Sequence, residues 1–197
     1  MISTIAIILC LIAYLLGSIS GAILSCRLWH LPDPRTHGSK NPGATNIYRL
    51  GGVQPALFTL LCDALKGVIP VWLAALLSAP PLEQGMVGMF AILGHMLPIF
   101  HGFRGGKGVA TTLGVGLVIA PATSLILIIV WGSILKMSHT SSIASLTSAF
   151  IAPVLALVFN PDFTLVFLIL SALIGVRHRD NLIRIVRRQE AKTRKQN

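Results

Sequence analysis

Apolar residues come along this chain in long blocks, such as "VGLVIA" and "SLILIIVW", and not in the alternation of a half-buried strand. The blocks fall at about 4–26, 53–79, 86–100, 143–159 and 163–176. A further stretch, 108–135, is apolar throughout except for "PATS" at 121–124. A straight helix crossing a bilayer needs about 20 residues, so these lengths predict a bundle of transmembrane helices. Segments 86–100 and 163–176 are short by that measure, and the Pro, Gly and polar residues at their ends are expected to extend them. Residues 1–26 read as a first transmembrane helix, because the apolar run is too long for a secretory signal and lacks its basic leader.

The polar segments between the blocks orient them. No Lys or Arg precedes the first block, whereas 27–50 carries Arg27, Arg35, Lys40 and Arg49 and is expected on the cytoplasmic side. "SAPPLEQ" and "NPD" each hold one acid and no base, which suits the outer face. The tail from Arg177 onward is strongly basic and belongs inside. Parity then requires 108–135 to cross twice, with the chain turning at Pro121 and Lys136 landing inside. Each half has only about 13 apolar residues, so these two spans are expected to be short or to sit in thinned bilayer. The expected fold is an all-α integral membrane protein. It is a compact bundle of about seven short transmembrane helices, N-terminus outside and C-terminus cytoplasmic, forming a single domain over 1–197. This topology places all of the 16 Lys and Arg except Lys66 in cytoplasmic loops.

Composition agrees. The chain is 54% hydrophobic and 11% charged, whereas a soluble domain carries about 25% charged residues. The net charge of +10 resembles that of a nucleic-acid binder, but its cations sit between apolar blocks, where membrane topology puts them. Cys10, Cys26 and Cys62 lie in or beside apolar stretches without a CxxC pair and read as small hydrophobes.

Three polar segments meet on the cytoplasmic face in this topology. In "HGSKNPGATNIYRLGG" (37–52), Gly38, Pro42 and Gly43 force turns, while Ser39, Asn41, Thr45 and Asn46 supply hydrogen-bonding groups. Arg49 adds a planar fork suited to two phosphate oxygens. In "HGFRGGKGVATT" (101–112), Gly105, Gly106 and Gly108 let backbone N–H groups approach a ligand closely, and Lys107 adds a full charge. The following residues are expected to start a helix, whose N-terminus favours anions. This is not a Walker A loop: His101 stands where the first glycine belongs, and Gly108 follows the Lys in place of Ser or Thr. In "GVRHRDNLIRIVRR" (175–188), His178 and Asn181 share a face if the last span continues as a helix. Beyond Arg184 the tail reads as a contact with anionic lipid or a topology anchor.

Asp63 and Lys66 interrupt an apolar block at i,i+3 spacing and are expected to pair, because isolated charges there are costly. That pairing fits a structural role as well as a catalytic one. His95 reads as a helix-packing histidine.

Taken together, "LPDPRT" (31–36), "GSKNPGATN" (38–46) with Arg49, "LCDALKGVIP" (61–70), "GHMLPIFHGFRGGKGVAT" (94–111) and "RHRDNLIR" (177–184) resemble the bacterial acyl-phosphate-dependent glycerol-3-phosphate acyltransferases, the PlsY family. The resemblance runs through essentially the whole chain. It implies transfer of a fatty acyl group from acyl phosphate to the 1-hydroxyl of sn-glycerol 3-phosphate, giving lysophosphatidic acid and inorganic phosphate in the bacterial inner membrane. It also implies a seven-helix fold with its site on the cytoplasmic side. Residue by residue it points to Ser39, Arg49, Lys107, His178 and Asn181 as the polar centre. Ser142, beside Ser141, falls at a further polar position. Lys40 stands where the family commonly has Gly, and Arg104 where Lys is usual.

On this reading His178, Lys107, Asn181 and Ser39 are the candidate catalytic residues. Arg49, Asn41, Gly43, Thr45, Asn46, Gly105, Gly106, Gly108 and Ser142 are the candidates for holding phosphate and substrate. Either His178 or a substrate phosphate takes the proton of the attacking hydroxyl. No metal cluster or nucleotide motif is visible, so catalysis without a cofactor is expected. The expected partners are the two substrates, the lipid bilayer and the enzyme that makes the acyl phosphate, with no nucleic acid among them. An anion transporter is the rival of another class, disfavoured because its polar groups would be reachable from both faces. An acyltransferase using acyl-CoA or acyl carrier protein is the rival among enzymes. None of the six histidines has Asp five positions later, which argues against the HxxxxD acyltransferases.

Overall fold

The computed structural model describes residues 2–193. Among those residues there are ten α-helices and two short 3-10 turns, and no strand. They form two compact units, one ending at Ile119 and the other beginning at Ala120.

The first unit holds α1 (Thr4–Gly17), α2 (Gly21–Leu28), α3 (Ala44–Gly51), α4 (Val53–Leu76), α5 (Pro81–Met96) and α6 (Val109–Ile119). Ser3 caps α1, its hydroxyl accepting from the Ala6 N–H at 3.1 Å. The buried Glu83 accepts from the Ser3 N–H at 2.7 Å and the Ser3 hydroxyl at 2.8 Å, tying the start of α1 to the start of α5. Small residues then let backbones touch. A Cβ on Gly17 would collide with the Ala91 carbonyl, and one on Gly94 with that of Tyr14. The same holds between α4 and α6, where Gly67 meets the Thr111 carbonyl and Gly114 that of Ala64. In lipid, where apolar side chains gain nothing by leaving the hydrocarbon for one another, such close packing is what holds helices together. Leu11, Leu61 and Trp72 remain exposed on the outer surface, where lipid takes the place of water.

The expected single helix over 4–26 is interrupted at residues 18–20. The Ser18 hydroxyl donates to the Tyr14 carbonyl at 2.9 Å, and the Lys66 ammonium donates to the Ile19 carbonyl at 2.8 Å. The Ile19 carbonyl, which a continuous helix would pair with the Ile23 N–H, is thus taken by Lys66, and the Ile23 N–H donates to the Ser20 hydroxyl at 3.3 Å. Segment 86–100 is extended as expected, with α5 starting on Pro81, where a missing N–H costs nothing.

The second unit holds α7 (Pro121–Ser138), α8 (Ser141–Phe159), α9 (Thr164–Arg177) and α10 (Arg179–Val186). Trp131 donates to the Ser145 hydroxyl at 3.1 Å between α7 and α8, and Ser171 donates to the Ala149 carbonyl at 2.5 Å between α8 and α9. The break between α6 and α7 falls at Ala120, where the sequence predicts it. The second half is longer than its apolar residues alone suggest, because α7 runs on past Lys136 into a last turn that favours a cation. The last span does not continue straight: α9 and α10 meet at a 62° bend centred on His178.

Among the described residues, five stretches suffice by length and apolar character to cross a membrane: Thr4–Leu28, Val53–Leu76, Pro81–His101, Pro121–Ser138 and Ser141–Phe159. The bent stretch from Pro161 to Val186 makes a sixth. The expected seventh rests on α6, whose 11 residues rise about 16 Å, against a hydrocarbon core of about 30 Å. The chain is an all-helical integral membrane protein.

Candidate active site

In the first unit, two loops come together above the end of α5. The first, residues 31–43, is organised by Asn46 on α3. Its amide donates to the carbonyls of Pro34 and His37, both at 3.0 Å, and its oxygen accepts from the Ser39 N–H at 2.9 Å. Asn46 is 1% exposed, and Ile47 beside it packs on Ala22 and Cys26. Asn46 thus holds the loop and places Ser39, whose side chain faces outward. Asp33 accepts from Arg35 at 2.7 Å, and the Arg35 hydrogen bonds hold the Asp33 carboxyl below its ordinary value. Asn41, Gly43 and Thr45 are half-buried where this loop runs into α3, and Arg49 is buried in its last turn.

The second loop is the glycine segment. The Gly106 N–H donates to the His95 carbonyl at 3.1 Å, drawing the loop onto the end of α5. No side chain fits there. A Cβ on Gly105 would strike the His95 carbonyl, and one on Gly106 would strike the His95 Nε2 while lying 3.1 Å from the Pro42 carbonyl of the first loop. Gly108 has φ +82°, and its carbonyl accepts from the Thr112 N–H at 2.7 Å to open α6. Lys107 is half-buried between the two glycines. Below the loop lies the expected ion pair, Lys66 Nζ to Asp63 Oδ1 at 2.9 Å, with the His95 Nδ1 3.6 Å from the same oxygen.

In the second unit, His178 is 2% exposed, and its Nδ1 lies 2.8 Å from the Ile174 carbonyl. A carbonyl only accepts, so Nδ1 carries the proton and Nε2 is the basic nitrogen of the neutral ring. Asn181 and Ser142, both buried, donate to one oxygen of Glu190 at 2.6 Å and 2.8 Å, while Arg184 donates to the other at 2.7 Å. Burial raises the Glu190 carboxyl, but the hydrogen bonds from Arg184, Asn181 and Ser142 outweigh it and hold the group below its ordinary value. The Thr193 N–H donates to the His139 carbonyl at 2.7 Å, and the Thr193 hydroxyl accepts from the Ser141 N–H at 3.2 Å.

The glycerol-3-phosphate acyltransferase family model matches residues 7–188. The chain belongs to that family. A glycerol-3-phosphate acyltransferase of Hahella chejuensis is 54% identical over 179 residues, 91% of this chain and 92% of the relative. One of Aliivibrio salmonicida is 48% identical over 187 residues, 95% and 97% of the two chains. The crystal structure of PlsY (YgiH), an integral membrane glycerol 3-phosphate acyltransferase, matches in its glycerol 3-phosphate form with a TM-score of 0.88 and 35% identity, covering 95% of this chain and 94% of that one. Its lysophosphatidic acid form matches with a TM-score of 0.86 and 34% identity, with the same coverage.

Lys40 lies in the left-handed region that favours glycine, with φ +57°. Residues 187–193 differ from the sequence reading in one respect. The segment beyond Arg184 reads from sequence more as lipid contact or topology anchor than as part of the site, yet Glu190 returns to Ser142 and Asn181. The signal available was one acid among many bases, Glu190 being one of only 6 acidic residues in the chain. The end of the basic tail, residues 194–197, lies outside the described residues.

Proposed function

We propose that this chain, acting as one acyltransferase domain, transfers a fatty acyl group from acyl phosphate to the 1-hydroxyl of sn-glycerol 3-phosphate. The products are lysophosphatidic acid and inorganic phosphate, formed at the cytoplasmic side of the bacterial inner membrane by a seven-span protein with its N-terminus outside. The observation that carries the reading is the glycine loop at 105–108. Its glycines have no room for a Cβ, it carries Lys107, and it feeds the N-terminus of α6. Family membership supports the acceptor, since the solved relative exists in glycerol 3-phosphate and lysophosphatidic acid forms.

Both substrates are phosphorylated. Lys107, Arg49 and the amides of Gly105 and Gly108 offset their charge, Gly106 fixes the loop through its N–H to the His95 carbonyl, and the turn through Asn41, Gly43 and Thr45 carries Ser39 to the same substrates. Asn46 serves them indirectly, by fixing that turn. The acceptor hydroxyl oxygen attacks the acyl carbonyl, the bond from that carbon to the phosphate oxygen breaks, and its electron pair leaves with phosphate. His178 Nε2 takes the hydroxyl proton. The second reading gives that proton to a substrate phosphate oxygen and leaves His178 to hold phosphate. Lys107, Asn181 or a loop N–H donates to the developing oxyanion, with Ser142 aligned beside Asn181. Phosphate leaves readily, so neither a covalent intermediate nor a cofactor is needed.

The test is to supply the purified protein with labelled glycerol 3-phosphate and either palmitoyl phosphate or palmitoyl-CoA. Lysophosphatidic acid from the acyl phosphate alone supports the reading. Product from the thioester alone overturns the donor, and no product from either overturns the activity.

A further inference from the structure

We propose that Asp63 and His95 are positioning residues for the glycine loop, with His95 as the floor beneath Gly106 and Asp63 as the group that fixes the ring; this rests on the reading of that loop as the phosphate cradle.

His95 lies in the last turn of α5 and is 7% exposed. It meets the loop twice. Its carbonyl accepts the Gly106 N–H at 3.1 Å, and its Nε2 lies so close to the Gly106 Cα that a Cβ there would strike it. The far side of the ring faces Asp63, with Nδ1 3.6 Å from Oδ1. Asp63 is itself immobile, being 2% exposed. The same Oδ1 takes the Lys66 ammonium at 2.9 Å and the Gly21 N–H at 3.3 Å. One carboxylate therefore links the break between α1 and α2, the middle of α4 and the ring under the loop.

Lys66 would satisfy Asp63 without any histidine, and an apolar ring would fill the volume of His95 just as well. What the imidazole adds is a ring restrained from behind by a carboxylate, which leaves the backbone above it little freedom. A phosphate cradle made of main-chain N–H groups needs its donors held to within about 0.5 Å. Helix packing alone does not hold a glycine-rich loop that closely, because glycine has the most backbone freedom of any residue.

The test uses the full-length protein with His95→Phe, which keeps the bulk, His95→Gln, which restores an amide near the Nε2 position, and the double variant Asp63→Asn/Lys66→Met, which removes both charges together. Hydrogen exchange over 101–110 is expected to quicken about tenfold in His95→Phe and in the double variant, with other segments unchanged in His95→Phe and only the break around 18–21 also loosened in the double variant. In the same two proteins the KM for glycerol 3-phosphate is expected to rise about tenfold while kcat stays within about twofold, and His95→Gln recovers most of the difference. Exchange at the wild-type rate in His95→Phe overturns the proposal, as does a joint fall of kcat and melting temperature with no selective change in KM. Should His95→Phe not fold, the double variant decides by the same two readings. A wild type with a protected loop that makes no lysophosphatidic acid contradicts the functional reading alone, because the exchange comparison stands without turnover.

Discussion

The side-chain amide of Asn181 donates to Glu190 at 2.6 Å, across the turn that closes α10. Ser142 donates to the same carboxylate oxygen from the start of α8, so one acid near the end of the chain aligns two candidate site residues. Glu190→Ala is expected to cost about 2 kcal/mol, the range for losing charge-assisted hydrogen bonds, and to slow turnover more than tenfold through misplaced Asn181. Glu190→Gln keeps one acceptor and is expected to fall between. Thermal denaturation in detergent and steady-state kinetics check both.

The same carboxylate gives a pH dependence with a defined sign. Its folded-state pKa lies below the ordinary value of 4.5, so its stabilisation is complete above that value and is lost as pH falls through the folded pKa. The protection of 177–193 against hydrogen exchange, taken relative to the intrinsic rate at each pH, is expected to fall in acid in the wild type. Glu190→Gln is expected to remove that dependence, and an unchanged acid profile in this variant would show that another group is responsible.

Gly106 has no room for a methyl group between His95 and the Pro42 carbonyl. Gly106→Ala is expected to lift the loop from α5 and cost at least about 1.4 kcal/mol in transition-state binding, a tenfold fall in kcat/KM for glycerol 3-phosphate. Titration of that substrate at saturating acyl donor is the check.

Lys40 holds a left-handed conformation, with φ +57°. Lys40→Gly removes the Cβ that makes this costly and is expected to stabilise the protein by about 0.5–1 kcal/mol, because the relief exceeds the extra freedom gained by the unfolded chain. Activity is expected to stay within about twofold, because Lys40 is exposed and the turn is unchanged. A melting-temperature comparison tests it.

Asn46 spends its whole side chain on the loop, donating to Pro34 and His37 and accepting from Ser39. Asn46→Asp places a carboxylate against two carbonyls and is expected to destabilise by about 1–3 kcal/mol, with activity lost in step. A variant with intact stability and a raised KM would mark Asn46 as a direct substrate contact instead.

What could be read from the sequence follows from how local each feature is. The Asp63–Lys66 pair is legible because i,i+3 spacing on one helix brings the two charges together without help from the fold. The break at Pro121 is legible because proline cannot continue a helix without losing a hydrogen bond. The interruption at 18–20 is not, because it is secured by Lys66 reaching the Ile19 carbonyl from 47 residues away. Glu190 is hidden for the same reason, meeting Ser142 across 48 residues. His95 looked like packing because its second task, beneath Gly106, exists only once the loop has folded back on α5. The motif residues were found through resemblance and glycine content, but the residues that hold them in place emerge from tertiary contacts.

The most direct test of the proposed chemistry is to count products in one reaction. Purified protein in lipid, given palmitoyl phosphate and labelled glycerol 3-phosphate with no thioester present, is expected to release lysophosphatidic acid and inorganic phosphate in equal amounts. Phosphate release without lysophosphatidic acid, or acylation that proceeds only after palmitoyl-CoA is added, would contradict direct transfer from acyl phosphate.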